Sequence, residues 1–285
     1  MLGEKRNILH MVQCAFCAWM LGVSWGAPGP AWAGGEDYDI GVAFGVDSVS
    51  VFRGQKSSSL NPSVSAIVTV ERGDFFGGMF VTPSKIAGEV RPFVLGYVGY
   101  GSSIGEFDWN VGGRYYSFPD SSDFVIDLDK DGIPENVGRK GFYEGLVGAS
   151  IPIGEATLSA NVFYSPNVFG ETGGAVYISG GLKIPIGAEF DLRGTIGFSE
   201  FANDLFNEDY MDYAIGIHRE FIGLDMFLRY SDTLGFPGVD DRVLVFGVEK
   251  SWTLASSDKD RDRRNRKIHN NMAIDKSQIH GVGRH

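Results

Sequence analysis

The sequence is short of several things, and each shortage closes off a class of protein. It has two cysteines, Cys14 and Cys17, both in the first stretch of the chain. That stretch reads as a removable leader, so the remainder holds no disulfide, no thiol nucleophile and no lipid-accepting cysteine, and the Cys-x-x-Cys is not a redox motif. Histidine is scarce as well. Of five, only His218 lies in the body, the others being His10, His269, His280 and His285. No apolar run of eighteen residues occurs in the body, which excludes a transmembrane helix there. Basic charge is short overall: the formal net charge is −11. An acidic body of this kind makes nucleic acid an unfavourable partner.

Glycine is plentiful. Forty glycines in 285 residues is about twice ordinary usage, and with many Phe and Tyr it suits closely packed strands joined by tight turns. Residues 1–33 carry the signs of a secretory signal. Lys5 and Arg6 form a positive start, an apolar stretch runs from Ile8 to Val23, and Ala31-Trp32-Ala33 matches a small-x-small cleavage pattern before Gly34. Residues 253–285 contrast with everything before them. They hold eight Lys/Arg against four Asp, lack apolar periodicity, and read as a disordered basic tail. The expected organisation is thus a signal peptide at 1–33, a β domain at 34–252 and the tail at 253–285.

The body alternates. From Phe190, Leu192, Gly194, Ile196 and Phe198 through Met211, Tyr213, Ile215 and Ile217, then Leu224, Met226, Leu228 and Tyr230, to Leu244, Phe246, Val248 and Trp252, apolar or small residues recur at every second position. A period of two marks strands with one apolar face. Earlier segments supply eight more candidates, at 38–53, 61–72, 75–83, 91–102, 107–117, 142–152, 156–165 and 176–185, making twelve in all. In the first, Tyr38, Ile40, Val42, Phe44 and Val46 share a face.

The connections between these strands alternate in length. Gly73-Asp74, Ile104-Gly105-Glu106, Ile153-Gly154-Glu155, Ile186-Gly187-Ala188 and Ile222-Gly223 are short and glycine-bearing, as tight hairpins require. Between them lie longer spans at 54–60, 84–90, 118–141, 167–175, 201–210 and 231–241. Outer-membrane barrels have this asymmetry, with short periplasmic turns and longer external loops. Closure leaves no sheet edge, and lipid tolerates none. The expected fold is therefore all-β: a closed antiparallel up-and-down transmembrane barrel of about twelve strands, in the outer membrane of a Gram-negative bacterium, with both termini periplasmic. Tyr38, Phe107, Trp109, Phe190, Tyr230 and Trp252 recur near strand ends as an interfacial girdle would. A soluble barrel or sandwich is the alternative, but it would need no such loop asymmetry. Gly247 and Trp252 partly match a terminal barrel-insertion signal, although Val245 and Lys250 depart from it and the chain continues beyond Trp252.

Three segments carry a family resemblance. Val51-Phe52-Arg53-Gly54 with Asn61-Pro62-Ser63-Val64, then Arg114-Tyr115-Tyr116-Ser117-Phe118-Pro119, then Phe163-Tyr164-Ser165-Pro166-Asn167-Val168-Phe169-Gly170 are similar to the Gcw_chp family of uncharacterised proteobacterial exported proteins. The resemblance spans roughly 46–252. It implies an exported barrel in the outer membrane and supplies no catalytic residues.

Two constellations bear on chemistry. Asp127, Asp129, Asp131, Ile133 and Glu135 surround Gly132 with the alternate-carboxylate spacing of a weak calcium loop. The twelfth position is Gly138, so the bidentate glutamate of an EF-hand is missing, and a solvated acidic turn is the competing reading. Ca2+ is the one cofactor considered. Alternation also places Arg53, Arg114, Glu144, Lys183, Asp191, Arg193, Asp212, His218, Glu220, Asp225, Arg229 and Glu249 toward the lumen. These charges either line a polar pathway that selects solutes or cross-pair and plug the barrel. The span 118–141 is a candidate to fold inward as a constriction. An enzyme is not expected. Arg219 and Glu220 follow His218, no serine lies two positions away on its face, and a lumen hydrogen-bonding role fits it better than a catalytic one. A lipid hydrolase is the residual alternative. The reading is a porin-like small-solute channel or a structural barrel, with an envelope scaffold as the alternative. Expected partners are outer-membrane lipids and lipopolysaccharide, the barrel-assembly machinery, and an acidic periplasmic partner for the tail.

Overall fold

The computed structural model describes residues 38–57, 62–86, 89–119, 125–126, 135–136, 141–168, 173–187, 189–202, 209–235 and 242–255. In chain order the strands are β1 (Asp39–Asp47), β2 (Val51–Phe52), β3 (Gln55–Lys56), β4 (Ser63–Arg72), β5 (Phe75–Ile86), β6 (Glu89–Ile104), β7 (Phe107–Ser117), β8 (Val125–Ile126), β9 (Glu135–Asn136), β10 (Gly141–Ile153), β11 (Ala156–Ser165), β12 (Ala175–Pro185), β13 (Phe190–Phe201), β14 (Tyr210–Phe221), β15 (Leu224–Leu234) and β16 (Val243–Ala255). Twelve of them, all but β2, β3, β8 and β9, form one closed barrel in which each strand pairs with its chain neighbours. The pairing is antiparallel, and β1 closes on β16 through Val42 opposite Trp252 and Val46 opposite Val248.

The alternation of the sequence sets the two faces. On β1, Ala43 points inward and is buried while Phe44 and Val46 point outward and are exposed. The same division runs around the barrel: Ile67, Phe80, Leu95 and Tyr116 face in, and Val64, Val98, Tyr143, Ile215 and Phe246 face out. Exposed apolar residues on nearly every strand make a continuous belt, far larger than the isolated patches a water-soluble surface carries. A covering of lipid is what such a belt demands. Aromatic rings gather at the short-turn end, where Phe75 meets Tyr100 edge-on (5.1 Å) and Tyr100 meets Trp109 (5.8 Å). The Tyr100 hydroxyl donates to Asp74 at 2.9 Å, keeping its polar tip at the turn. Among the described residues no helix is long and apolar enough to cross a membrane.

Glycine has two separate uses here. In the turns Gly105 (φ +64°) and Gly154 (φ +63°) hold the left-handed conformation, with open space where a side chain would go, so backbone geometry selects them. On the inward face Gly78, Gly99 and Gly247 lie under the side chains of Tyr97, Phe76 and Phe227 from adjacent strands, where any Cβ would collide. An aromatic ring covering a cross-strand glycine fills the gap and fixes the register.

Three boundaries differ from expectation. The first strand ends at Asp47, short of the predicted Arg53. After it, β2 and β3 form a separate two-residue-per-strand hairpin. Residues Thr253–Ala255 are the start of no tail: they extend β16, because Gly41 and Ile40 of β1 need Thr253 and Ala255 as partners. The longest connection carries β8 and β9, which pair Val125 with Asn136 and Ile126 with Glu135.

Candidate functional site: the barrel lumen

The lumen divides into two halves. The half toward the long connections is filled by the hairpin of β2 and β3, which turns inward instead of standing above the barrel. Its base is tied to the wall on both sides. Ser48 N donates to Phe246 O at 2.8 Å, and Ser84 Oγ donates to Ser57 O at 3.3 Å. Ser57 N donates to Ser50 O at 2.9 Å across the hairpin itself. Val49 and Val51 pack with Val245 of β16, and Phe52 packs with Tyr116, Phe142, Phe93 and Phe80 on the opposite wall. Burying each of these side chains favours the inward position by about 1.5–3 kcal/mol.

The tip is a two-residue turn at Arg53 (φ +46°) and Gly54 (φ +78°), which are the positive angles of a type I′ turn. Gly54 abuts the far wall: a Cβ there would come within 2.6 Å of Asp212 Cβ and 2.7 Å of Thr233 Cγ2. Arg53 reaches the other way. Its Nη2 donates to both carboxylate oxygens of Glu144 on β10, at 2.8 and 2.9 Å. Tyr116 OH donates to the same carboxylate at 2.6 Å. The guanidinium also lies over the Tyr177 ring (4.2 Å), with the Phe52 and Phe163 rings at 4.8 and 5.5 Å. Arg114, opposite Glu144 on β7, lies over the other ring of the group, Phe163, at 4.4 Å. Tyr177 OH in turn donates to Asp212 Oδ1 at 3.3 Å. An arginine in left-handed backbone costs about 1–2 kcal/mol, and the first position of such a turn favours Asn, Asp or Gly. The contacts of its side chain are what hold Arg53 there.

The half toward the short turns is different. On β12 to β16 the register sets Lys183 beside Arg193, with Arg229 two strands further along, as a basic row. Glu220, Asp225 and Glu249 make an acidic row nearer the turns. Asp191 bridges two members of the basic row: Lys183 Nζ is 3.0 Å and Arg193 Nη2 3.1 Å from its Oδ2. Arg193 and His218 both approach Asp225, at 4.0 and 3.8 Å, and the imidazole lies flat on Phe227 at 5.1 Å. These side chains keep contact with solvent. Lys183 and Asp225 are 41% and 43% exposed, whereas Arg53 and Glu144 are 8% and 2% exposed.

Every residue assigned to the lumen by alternation has an inward position, but two groups form rather than one lining. Glu144, Arg114 and Asp212 belong to the dry half, and Lys183, Asp191, Arg193, His218, Asp225, Glu220 and Glu249 to the wet half; Arg229, opposite the buried Val245 and over the Phe227 ring at 5.2 Å, stands at the boundary between them. Arg53 enters the lumen from a connection, not from a wall strand. The constriction seen among the described residues is made by residues 48–57; most of the span 118–141 lies outside the described residues. Asp127, Asp129, Asp131 and Ile133 lie outside the described residues, as does the tail from 256; Glu135 is in β9. Among the described residues, no group of three His, Cys, Asp or Glu side chains is placed to hold a metal.

Phe52, Gly54, Tyr116 and Phe163 stand in the family's motifs, but sequence reasoning gave them no place in the lumen, and it missed Tyr177. One signal was available for the hairpin. Apolar residues occupy even positions from Ile40 to Val46 and odd positions at Val49 and Val51. A strand cannot change phase in that way without a break.

Comparison with known proteins places the chain. Residues 31–252 match the family described as a bacterial protein of unknown function, Gcw_chp. The chain belongs to the Gcw_chp family. No curated protein matches it. Among solved structures this family member is similar to the KdgM porin, at 9% identity and TM-score 0.49, with 74% of this chain and 99% of that chain covered. It is similar also to the NanC porin, at 11% identity and TM-score 0.46, covering 75% and 98%. A third is the COG4313 outer membrane channel from Pseudomonas putida F1, at 10% identity and TM-score 0.48, covering 80% and 99%.

Proposed function

We propose that this Gcw_chp protein is an outer-membrane channel for small polar solutes whose long-connection mouth is narrowed by the β2–β3 hairpin. The single observation that carries the reading is the solvated, charge-bearing wall of β12 to β16. A barrel that served only as a structural plug would gain from filling that half with apolar or fully paired side chains, since imperfectly paired inward charges contribute little to stability. Rows of opposite sign along a wet lumen instead discriminate solutes by charge. The outward apolar belt supports the membrane, and the short turns with both barrel ends are assigned to the periplasmic side.

The test is single-channel conductance of the refolded chain from Gly34 in a planar bilayer, for the wild type and for a version in which residues 49–56 are replaced by a short Gly-Ser link. Larger, longer steps from the shortened version are expected. Silence from both, in protein shown to be folded and inserted, would reject the channel. The dry mouth favours a second reading, a closed structural barrel in the envelope. Its tail would bind an acidic periplasmic partner, and removal of residues 256–285 would abolish that binding while leaving any conductance intact. Repeating the recordings with calcium and with chelator tests whether the loop at 127–135 takes part.

A further inference from the structure

We propose that the wall beneath the hairpin is a guanidinium-binding site, occupied from within the chain by Arg53, for which a guanidinium-bearing solute competes. Its consequence, opening of the lumen, rests on the channel reading above; the binding itself does not.

The receptor is built into the barrel. Glu144 comes from β10, the Tyr116 hydroxyl from β7, the Phe163 ring from β11 and the Tyr177 ring from β12, so all four remain when the hairpin leaves. Their chemistry is that of a cation cage: one carboxylate, one hydroxyl that orients it, and aromatic faces on which a planar cation stacks. Tyr177 is held in place by its bond to Asp212, and Gly197 beneath it leaves the space its hydroxyl occupies. The charge favours exchange. With Arg53 gone, Glu144 loses the cation bound to both of its oxygens, so the site takes a planar monovalent cation. Arg114 stays beside Glu144, which spares the carboxylate from being stranded alone in a dry wall.

The occupant is built to leave. Arg53 sits in backbone that arginine rarely adopts, and its Nε is buried without a hydrogen-bond partner, so its fit is incomplete. The connection that carries it joins Asp47 to Ser63, which are themselves register partners in the barrel. The hairpin can therefore withdraw without breaking any strand pairing.

The decisive variant is Arg53→Asn, which suits the type I′ turn better and removes the cation. The probe is methylguanidinium chloride against sodium chloride at equal ionic strength, on detergent-folded full-length protein, read by calorimetric titration and by the thermal unfolding midpoint. Arg53→Asn is expected to bind methylguanidinium saturably, at a concentration at least tenfold below any response of the wild type. Adding Glu144→Gln should abolish that binding; Tyr177→Leu in the Arg53→Asn background serves the same purpose should the Gln variant fail to fold. An equal response in wild type and Arg53→Asn, or binding that survives the loss of Glu144 or of the Tyr177 ring, overturns the site. Binding without conductance in any variant would leave the site standing and remove the channel. Conductance without selective binding would do the reverse.

Discussion

The two halves of one lumen use the same residue types for opposite ends. In the dry half Arg53, Glu144 and Tyr116 are sealed under aromatic rings, and their bonds are short. In the wet half Lys183, Arg193, Asp191 and Asp225 lie at comparable or longer separations, with side chains that are 21–43% exposed. Charges of both signs occur in each half; the surroundings differ. A charge pair under low-dielectric rings is strongly coupled, and losing one member strands the other. A pair in a water-filled cleft is screened, and losing one member mainly changes the local potential. The dry half is therefore a place where sequence changes act on stability and closure. The wet half is a place where they act on what passes.

The contrast can be broken most sharply at Glu144. Glu144→Ala leaves Arg53 buried without its carboxylate, and the expected loss is about 3–5 kcal/mol. Urea unfolding followed by tryptophan fluorescence measures it; a loss under 1 kcal/mol would mean that the mouth is wet after all. Outside the lumen, Val98→Arg puts a charge in the middle of β6 on the lipid face, with an expected cost of about 2–4 kcal/mol in bilayers. Refolding yield in vesicles reads the result, and an unchanged yield would remove the membrane assignment of that face. At the tip, Gly54→Val adds a side chain where Asp212 and Thr233 leave no room, at a backbone angle that valine avoids. The cost of about 1–2 kcal/mol from the backbone alone is expected to push the hairpin out. Conductance should then rise with little change in barrel unfolding, because the barrel ladder is untouched.

The barrel was legible because lipid and water impose a period of two on every wall strand, and because turn chemistry marks each hairpin with glycine. Even the sides of Lys183, Asp191 and Arg193 follow from counting by twos from Leu192. The latch was not legible for the same reason. Counting by twos carried the first strand through to Arg53, although the apolar phase shifts between Val46 and Val49. Nor does any local pattern announce that Arg53 meets Glu144, since ninety-one positions separate them and only barrel closure brings β10 opposite the first connection. Of the aromatic members of the cage, Phe163 opens a family motif and Tyr177 reads in the sequence as an ordinary strand residue. Their meaning comes from standing next to each other on adjacent strands, which alternation cannot express.

The smallest expected effect on stability, and the most informative about transport, lies in the wet half. Arg193→Gln removes one of the two cations on Asp191 and leaves Lys183 in place. Both partners are partly solvated, so the pair contributes at most about 1 kcal/mol, and the unfolding midpoint should scarcely move. The potential of the basic row, however, loses a third of its formal charge, counting Lys183, Arg193 and Arg229, while the acidic row at Glu220, Asp225 and Glu249 keeps all of its own. In a pathway lined by these rows the permeability ratio must shift toward cations, and more so in dilute salt, where the screening length grows. Reversal potentials across a tenfold KCl gradient, recorded with the hairpin shortened so that the mouth does not limit the current, read this directly. A ratio identical to that of the parent at low salt would mean that ions do not travel along this wall, and the wet half would then be a solvated pocket, not part of a path.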